Sequence, residues 1–319
     1  MRATALGIAV PAELGRLYFA AQAVAGAAWW VAVFTVPFVR DATLGSIDPV
    51  LMALADVPLF VVGSALAAAG VRAAAPIATG WTLLVAVSLA VYATVTTQAG
   101  WGVVAMIAAS AGSAVALCSV RWGRIPTAWV VKGPFGFRPA APGRGRAAPV
   151  LATLGQIVVF WGFFLVVLPL VISALEQRWG LAVPLPSPIA AAVSIVGAVV
   201  LALASTLGLW SGVTMSALGD GTPLPAAMTT RLVVAGPYRW VRNPMALAGI
   251  TQGAAVGLLL GSWLVVLYAV AGSAVWNLVV RPHEEDDLEA RFGPDFVAYR
   301  THVRCWLPRL TPYAPVSPR

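Results

Sequence analysis

Charged residues are scarce in this chain of 319 residues, and so are cysteine and histidine. Asp, Glu, Lys and Arg make up 10% of the sequence, against 60% hydrophobic residues. A soluble domain has about 25% charged residues, so the composition excludes one. The two cysteines, Cys118 and Cys305, exclude a disulfide framework and a thiolate metal site. His283 and His302 are too few and too far apart for a zinc or di-iron site, so we expect no metal.

The chain also lacks any segment that looks like a base-reading module, although its net charge is +8. We attribute this charge to a cytoplasmic face that meets anionic lipid headgroups. Membrane lipids are therefore expected partners, and nucleic acid is not. Almost all the basic residues are Arg, and Ala, Val and Gly are abundant, which is typical of a GC-rich bacterial genome.

Long apolar stretches account for most of the sequence, and the mean hydropathy is +0.87. A helix that crosses the hydrocarbon core needs about 17 to 25 apolar residues. Stretches of this kind occur at 17–37, 50–71, 77–97, 101–120, 150–174, 188–211, 245–260 and 262–280. They predict an all-α polytopic integral membrane protein of about eight transmembrane helices. Only Gly261 and Ser262 separate the last two, which indicates a tight helical hairpin.

The arginines indicate how these helices are oriented, since cytoplasmic flanks collect positive charge. With the N-terminus inside, only Arg40 and Arg178 fall on the outer side. The inner side then holds Arg2, Arg16, Arg72, Arg121, Arg124, Lys132, Arg138, Arg144, Arg146, Arg231, Arg239, Arg242, Arg281, Arg291, Arg300, Arg304, Arg309 and Arg319. We predict a protein of the bacterial cytoplasmic membrane with both termini in the cytoplasm. No signal peptide is needed, because the first apolar run is too long for one and has no clear cleavage site.

A basic segment rich in Pro and Gly, residues 121–149, divides the chain. It separates an N-terminal module of four helices, residues 1–120, from a C-terminal module, residues 150–319. The N-terminal module is rich in Ala and Gly, which allow close helix packing in lipid. Asp56 is its exception, and a carboxylate within a span costs about 2.5 to 3.5 kcal/mol. It indicates either a functional or paired group or a residue near the outer interface that reaches the headgroups.

The polar motifs all lie in the C-terminal module. GDGTPLP at 219–225 is a turn-rich segment that leads into GPYRWVRNP at 236–244. After the hairpin, a short helix from Glu284 is interrupted at Gly293 and Pro294. Apolar residues then recur at helical spacing until Pro308, which predicts an amphipathic cytoplasmic helix at the membrane interface.

Taken together, the ordered motifs resemble those of the isoprenylcysteine carboxyl methyltransferase and phospholipid methyltransferase superfamily. The resemblance covers about residues 215–312. It rests on the following residues: Leu232, Val233, Gly236, Tyr238, Arg242, Pro244, Arg281, Glu284, Glu285, Phe292, Gly293, Tyr299 and Pro308.

The resemblance implies an S-adenosylmethionine-dependent methyltransferase without a Rossmann domain. It places Arg281 at the substrate and Glu285 at the polar end of the cofactor. The residues that it assigns to cofactor binding are Thr230, Arg231, Leu232, Val233, Gly236, Tyr238, Arg242, Asn243, Pro244, Met245, Ala246, Glu284 and Glu285.

The chemistry of that cofactor agrees with this assignment. A sulfonium with an amino-acid tail presents one anion and two cations, so its site needs N–H donors and an acid. Glu284 and Glu285 are adjacent and point about 100° apart on a helix, so one of them contacts the ligand. We favour Glu285.

Ordinary roles for the same residues stay open. Arg239 and Arg242 are also explained as flanking residues that reach lipid phosphates. Four acids are also explained as a solvated face at the N-terminus of a helix, where the helix dipole favours negative charge. They are Glu284, Asp286, Asp287 and Glu289. Aromatic residues at the membrane interface form belts; here they are Tyr238, Trp240 and Trp306.

Two positions depart from the isoprenylcysteine enzymes: Asn243 replaces His, and Ala246 replaces Tyr. Asn cannot titrate, which rules out an imidazole base at that position. We predict methyl transfer to a lipophilic, isoprenoid-like or lipid acceptor, with a carboxylate favoured over an amine. The alternatives are an NADPH-dependent membrane reductase of the sterol-reductase type and a non-catalytic lipid-binding membrane protein.

Overall fold

The computed structural model describes residues 7–129, 147–222 and 228–314, and this part of the chain is almost entirely helical. The prediction of an all-α polytopic membrane protein is confirmed. Lys132, Arg138, Arg144 and Arg146 of the predicted linker lie outside the described residues, as do Arg2 and Arg319.

Ten helices carry the described chain. They are α1 (Ala12–Thr35), α2 (Pro37–Thr43), α3 (Pro49–Ala68), α4 (Ala74–Thr96), α5 (Gly100–Trp122), α6 (Pro149–Arg178), α7 (Ser187–Gly219), α8 (Pro244–Leu260), α9 (Trp263–Val275) and α10 (Arg281–His302). A π-helical turn, Trp276–Val280, joins α9 and α10 into one continuous helix. Short strands β1 (Ile8–Ala9) and β2 (Arg124–Ile125) pair in antiparallel fashion.

Every apolar stretch of the sequence forms a helix. Within the described residues, 7 helices are long and apolar enough to cross a membrane, and α8 has 17 residues. The tight hairpin between α8 and α9 is present: Gly261 has a φ of 60°, and the Ser262 hydroxyl accepts a hydrogen bond from the Val265 N–H. The apolar part of the last span ends at Val280, so the acidic face of α10 lies beyond it.

Contacts divide the chain into two compact units. One comprises residues 6–126 and 174–182, and the other comprises residues 127–173 and 183–319 together with residues 1–5. In the first unit, Gly102 of α5 packs directly against the backbone at Thr43. A Cβ atom on Gly102 would lie only 2.1 Å from the Thr43 carbonyl oxygen. Such close approach is how helices pack tightly in lipid, where small residues replace the hydrophobic effect as the main packing device.

Candidate functional site

A sharp chain reversal at the end of α7 begins the site. Asp220 is in the left-handed conformation with a φ of 53°, and the Thr230 N–H donates to the Gly219 carbonyl at 2.8 Å. A Cβ on Gly221 would lie 2.6 Å from the Met228 carbonyl oxygen, so the two chain segments touch only because this residue is glycine. The reversal returns Thr229 to the end of α7.

The motif loop, residues 232–244, follows. It contains a 3₁₀ turn at Gly236–Arg239, and Gly236 has a φ of 53°. A Cβ there would lie 3.0 Å from the Thr214 hydroxyl, so this position favours glycine for both conformation and space. Tyr238 is buried, and burial raises its pKa well above the ordinary value. Its hydroxyl therefore stays protonated and faces the sulfur of Met215 at 3.7 Å.

The chain after α10 holds the motif loop in place through backbone hydrogen bonds. The Arg242 N–H donates to the Arg304 carbonyl at 2.9 Å, and the Arg309 N–H donates to the Trp240 carbonyl at 2.9 Å. Asn243 is also occupied, since its amide donates to the Cys305 sulfur at 3.1 Å. These contacts fix the conformation of a loop that has little regular structure of its own.

The second half of α10 covers the same loop. Gly293, with φ 52° and ψ −126°, breaks the helix as the sequence predicted. Beyond this kink, Phe296, Tyr299 and Val303 are buried against Leu232 and other apolar residues of the loop. The Tyr299 hydroxyl donates to the Tyr238 carbonyl at 2.7 Å. The apolar face of the amphipathic segment thus packs on the motif loop.

One ion pair links the loop to the first turn of α10. The Arg242 guanidinium lies 2.9 Å from the Glu285 carboxylate, with side-chain exposures of 11% and 19%. The same guanidinium donates to the Arg300 and Val303 carbonyls, at 3.0 Å each. Arg242 therefore does not reach out to lipid phosphate, and the Glu285 charge is already compensated within the protein.

Glu284 is in a different state from its neighbour. Among the described residues, its carboxylate has no hydrogen bond and no ion pair, whereas Asp287 pairs with Arg291 and Glu289 with Arg300. Burial, reinforced by the charges of Glu285 and Asp287, raises the pKa of Glu284 to about 7. The charge of Arg291 lowers this pKa in part, but among the described residues no cation pairs directly with Glu284.

Both glutamates line a cavity of about 60 Å³ between the end of α7, the motif loop and α10. We call it the polar cavity because two acids and two arginines line it, although most of its wall is apolar. Of the residues assigned to cofactor binding, the cavity contains Arg231, Leu232, Val233, Tyr238, Arg242, Asn243, Glu284 and Glu285. Those that do not line it are Thr230, Gly236, Pro244, Met245 and Ala246. Residues that the sequence did not single out for the site complete its wall: Met215, Thr222, Met228, Thr229, Leu288, Phe292, Phe296 and Tyr299.

The helical spacing of Leu288, Phe292, Phe296 and Tyr299 gave a signal for one side of the wall. Leu288 and Phe292 share one face of α10 before the Gly293 kink, and Phe296 and Tyr299 share one face after it. Both pairs line the cavity. Thr229 and Met228 had no comparable signal. They reach the cavity because of the chain reversal, where the Arg291 guanidinium donates to the Thr229 carbonyl at 2.6 Å.

An apolar cavity of about 350 Å³ lies between α6, α8 and α9. Aromatic and small residues line it, including Phe160, Trp161, Tyr268 and Trp276. Ala246 lines this apolar cavity, and Asn243, three residues earlier, lines the polar one. Asn243 is the N-cap residue of α8 and Ala246 lies in its first turn, so the start of α8 borders both cavities.

Arg281 lies at the start of α10 and is partly buried. It is absent from the lining of both cavities and has no hydrogen bond or ion pair with any described residue. It precedes Glu285 by four residues and so lies on the same side of α10. Arg281 therefore lies close to Glu284 and Glu285 along α10 but forms no ion pair with either of them.

Comparison with known proteins agrees with the resemblance over the C-terminal part. Residues 191–295 match the family model of phospholipid methyltransferase. The matched segment runs from α7 to the Gly293 kink and contains the motif loop, α8, Arg281 and both glutamates. No curated protein and no solved structure matches the chain.

Proposed function

We propose that this protein transfers a methyl group from S-adenosylmethionine to a lipophilic acceptor that resides in the membrane. The observation that carries the proposal is the pair of cavities at the start of α8. Asn243 lies in the polar cavity with the two glutamates, and Ala246 lies in the apolar one. A polar cofactor and a lipid tail need such adjoining compartments, and the match to the phospholipid methyltransferase model supports this chemistry.

The donor set of the polar cavity fits the charges of the cofactor. Glu284 has no direct ion pair among the described residues, and a buried unpaired charge is costly. The ammonium of the cofactor would supply the cation that pairs with it. Among the described residues, the backbone N–H groups of Leu232 and Val233 donate no hydrogen bond. They would be free to meet the carboxylate of the cofactor.

The volume of the polar cavity sets a condition on this assignment. Pockets for ligands of this size measure about 300 to 1,000 Å³, against about 60 Å³ here. The walls must therefore open when the cofactor enters. Phe292 and Phe296 occupy the α10 side of the cavity, and their movement would enlarge it.

The cofactor supplies a sulfonium methyl group that a nucleophile displaces in line. The protein would contribute positioning and exclusion of water, which supply about 7 to 11 kcal/mol when reactants are well oriented. Glu284 would anchor the amino-acid tail, and Arg242 would keep Glu285 and the motif loop in place. The apolar cavity would hold the acceptor's tail beside them.

A carboxylate remains the favoured acceptor. It is already nucleophilic and needs no base. With Glu284 assigned to the cofactor and Glu285 paired with Arg242, neither acid that lines the polar cavity is left to take a proton. Arg281, which has no partner among the described residues, would orient such a carboxylate.

The second candidate acceptor is an amine in a phospholipid headgroup. The matched family model favours a phospholipid, and a carboxyl whose pKa is about 7 suits a general base at neutral pH. In this case Glu284 would accept the proton that the amine loses as its nitrogen bonds to the methyl group.

A thermal-shift measurement on the purified protein in detergent tests the cofactor assignment. S-adenosylhomocysteine should raise the unfolding temperature, and NADPH should not. The Glu284→Gln variant should lose the stabilisation, while Asp286→Asn, an exposed acid on the same helix, should keep it. Stabilisation by NADPH alone would favour a reductase, and no response to either ligand would favour a non-catalytic lipid-binding protein.

A further inference from the structure

The first compact unit, residues 6–126 and 174–182, contains a large cavity, and we refer to this unit below as the N-terminal unit. The cavity measures about 380 Å³ and is bordered by α1, α3, α4 and α5. This volume falls within the range of pockets that hold small molecules, about 300 to 1,000 Å³. Its lining is overwhelmingly apolar, and among the described residues Asp56 is the one acidic or basic side chain in it.

Asp56 is buried in the middle of this lining, with 4% of its surface exposed. The Trp30 indole N–H donates to one carboxylate oxygen at 2.9 Å, and the Trp81 indole N–H donates to the other at 2.7 Å. Asp56 therefore does not reach toward headgroups, which was one of the two roles that the sequence left open. A carboxylate has about four acceptor positions, so two neutral donors leave it capacity for more.

The charge of Asp56 has no counter-charge within the protein. No Arg, Lys or His among the described residues forms an ion pair with it. Gln22, the other strongly polar residue of the cavity, is already satisfied by Ser64 at 3.0 Å and Ser113 at 2.8 Å. A charged residue within a membrane span marks a functional site by default, because its cost must be offset by a partner.

The surroundings of the carboxylate suit a cation. Tyr18, Trp29 and Phe60 present aromatic rings to the cavity, and ring faces attract ammonium groups. Asp56 also directly precedes a π-helical turn, Val57–Val62, a feature that is frequent at functional sites. A carboxylate, aromatic rings and an apolar space of this size together form a site that suits an amine with an apolar body.

We propose that this cavity binds a lipophilic ammonium compound, whose charged nitrogen pairs with Asp56 and whose apolar body fills the space between the helices. This site belongs to the N-terminal unit and is separate from the proposed methyl transfer. The two indole N–H groups would then fix the orientation of the carboxylate, so that its remaining acceptor positions face the cavity.

A matched set of three probes tests the charge requirement. They are 2-naphthylmethylamine as the cation, 2-naphthylmethanol as the neutral analogue and 2-naphthylacetate as the anion. Binding is measured by calorimetry on the full chain in nanodiscs of zwitterionic lipid, with protein-free nanodiscs subtracted. The cation should bind saturably and at least about tenfold more tightly than the alcohol, as a charged hydrogen bond predicts.

Variants then locate the site. Asp56→Asn keeps the size of the side chain but removes its charge, and should abolish the preference for the cation. Asp41→Asn removes an exposed acid of the same unit and should preserve it. If Asp56→Asn does not fold, the three probes are compared on Glu284→Gln. A cation preference that is lost there would place the site at Glu284 and overturn the proposal.

Three further outcomes would overturn the proposal. Equal affinity for amine and alcohol would mean that the cavity is only apolar. Retained cation preference in Asp56→Asn would place the site elsewhere. Absence of saturable binding by all three probes would mean that Asp56 serves only to hold Trp30 and Trp81.

Discussion

Arg242 and Glu285 form an ion pair at 2.9 Å that joins the motif loop to the first turn of α10. Both side chains are largely withdrawn from solvent, and Arg242 also satisfies two carbonyl groups near the end of α10. Two adjacent glutamates are therefore in different states: Glu285 is paired with Arg242, and Glu284 has no direct ion pair among the described residues.

Removing Arg242 should therefore destabilise the fold. Arg242→Ala would leave the Glu285 charge and two carbonyls without their donor, a loss of about 3 to 5 kcal/mol for a buried pair. The unfolding temperature of the purified protein in detergent measures it. Arg231→Ala, which breaks an exposed pair with Asp220, is the control and should cost no more than about 1 kcal/mol. Equal effects of the two variants would show that the Arg242 pair is not structural.

Glu284 should dominate cofactor affinity. Glu284→Gln removes the charge that meets the cofactor's ammonium, so S-adenosylhomocysteine should bind more weakly by about 1.5 to 3 kcal/mol, the range for a hydrogen bond to a charged group. Isothermal calorimetry measures this, with Asp286→Asn as the control. Unchanged affinity in a folded Glu284→Gln protein would return the role to Glu285, the residue that the sequence favoured.

The raised pKa of Glu284 also predicts how binding depends on pH. Since the pKa is about 7, the carboxyl is mostly protonated and neutral below that pH, and a cationic ligand must then displace a proton. Affinity for S-adenosylhomocysteine should fall by up to about tenfold per pH unit below pH 7 and level off above it.

Two measurements check this dependence. Calorimetry in buffers of different ionisation enthalpy should detect proton release at acidic pH. The Glu284→Gln variant should bind weakly at every pH, without the slope. A slope that persists in this variant would assign the titration to another group.

The helices were largely predictable because hydropathy alone dictates them. Most spans begin and end within a few residues of the apolar run that predicted them, although α7 continues eight residues beyond 211 to Gly219. The glycine break at Gly293 was visible in the sequence. The motif loop was predictable as a segment because Gly236 can adopt a backbone conformation that other residues rarely adopt, and because Pro244 favours the first position of a helix.

The pairing within the site could not be read in this way. Arg242 and Glu285 are 43 positions apart, and nothing local indicates which of two adjacent glutamates turns toward the arginine. The wall formed by Met228 and Thr229 depends on the close approach of two backbones at Gly221. Such contacts arise from tertiary packing, which a single sequence does not encode in any short pattern.

Orientation in the membrane is still a prediction, and cysteine labelling tests it. In a background with Cys118→Ala and Cys305→Ser, cysteines at Pro142 and Arg319, which lie outside the described residues, should resist impermeant reagents in intact cells. A cysteine at Pro184, in the exposed loop between α6 and α7, should react. Labelling at Pro142 or Arg319 would contradict a topology with both termini inside.

Variants of Arg281 test whether the acceptor is a carboxylate. This arginine lies at the end of the last span, has no partner among the described residues and lies one turn before Glu285. A guanidinium presents a fork of donors that matches a carboxylate, so it should act on the acceptor more than on the cofactor. Arg281→Ala should then lower turnover by about 10²-fold or more, as for the loss of one preorganised charge contact, while S-adenosylhomocysteine affinity stays within a few-fold.

Arg281→Lys should restore only part of the turnover, because a point charge cannot reproduce two parallel hydrogen bonds. Arg304→Ala, which removes an exposed arginine after α10, is the control and should leave turnover unchanged. Turnover is measured as transfer of a labelled methyl group into membrane lipid. If Arg281→Ala retains full turnover, this arginine only flanks the membrane span, and the acceptor is then the phospholipid amine with Glu284 as its base.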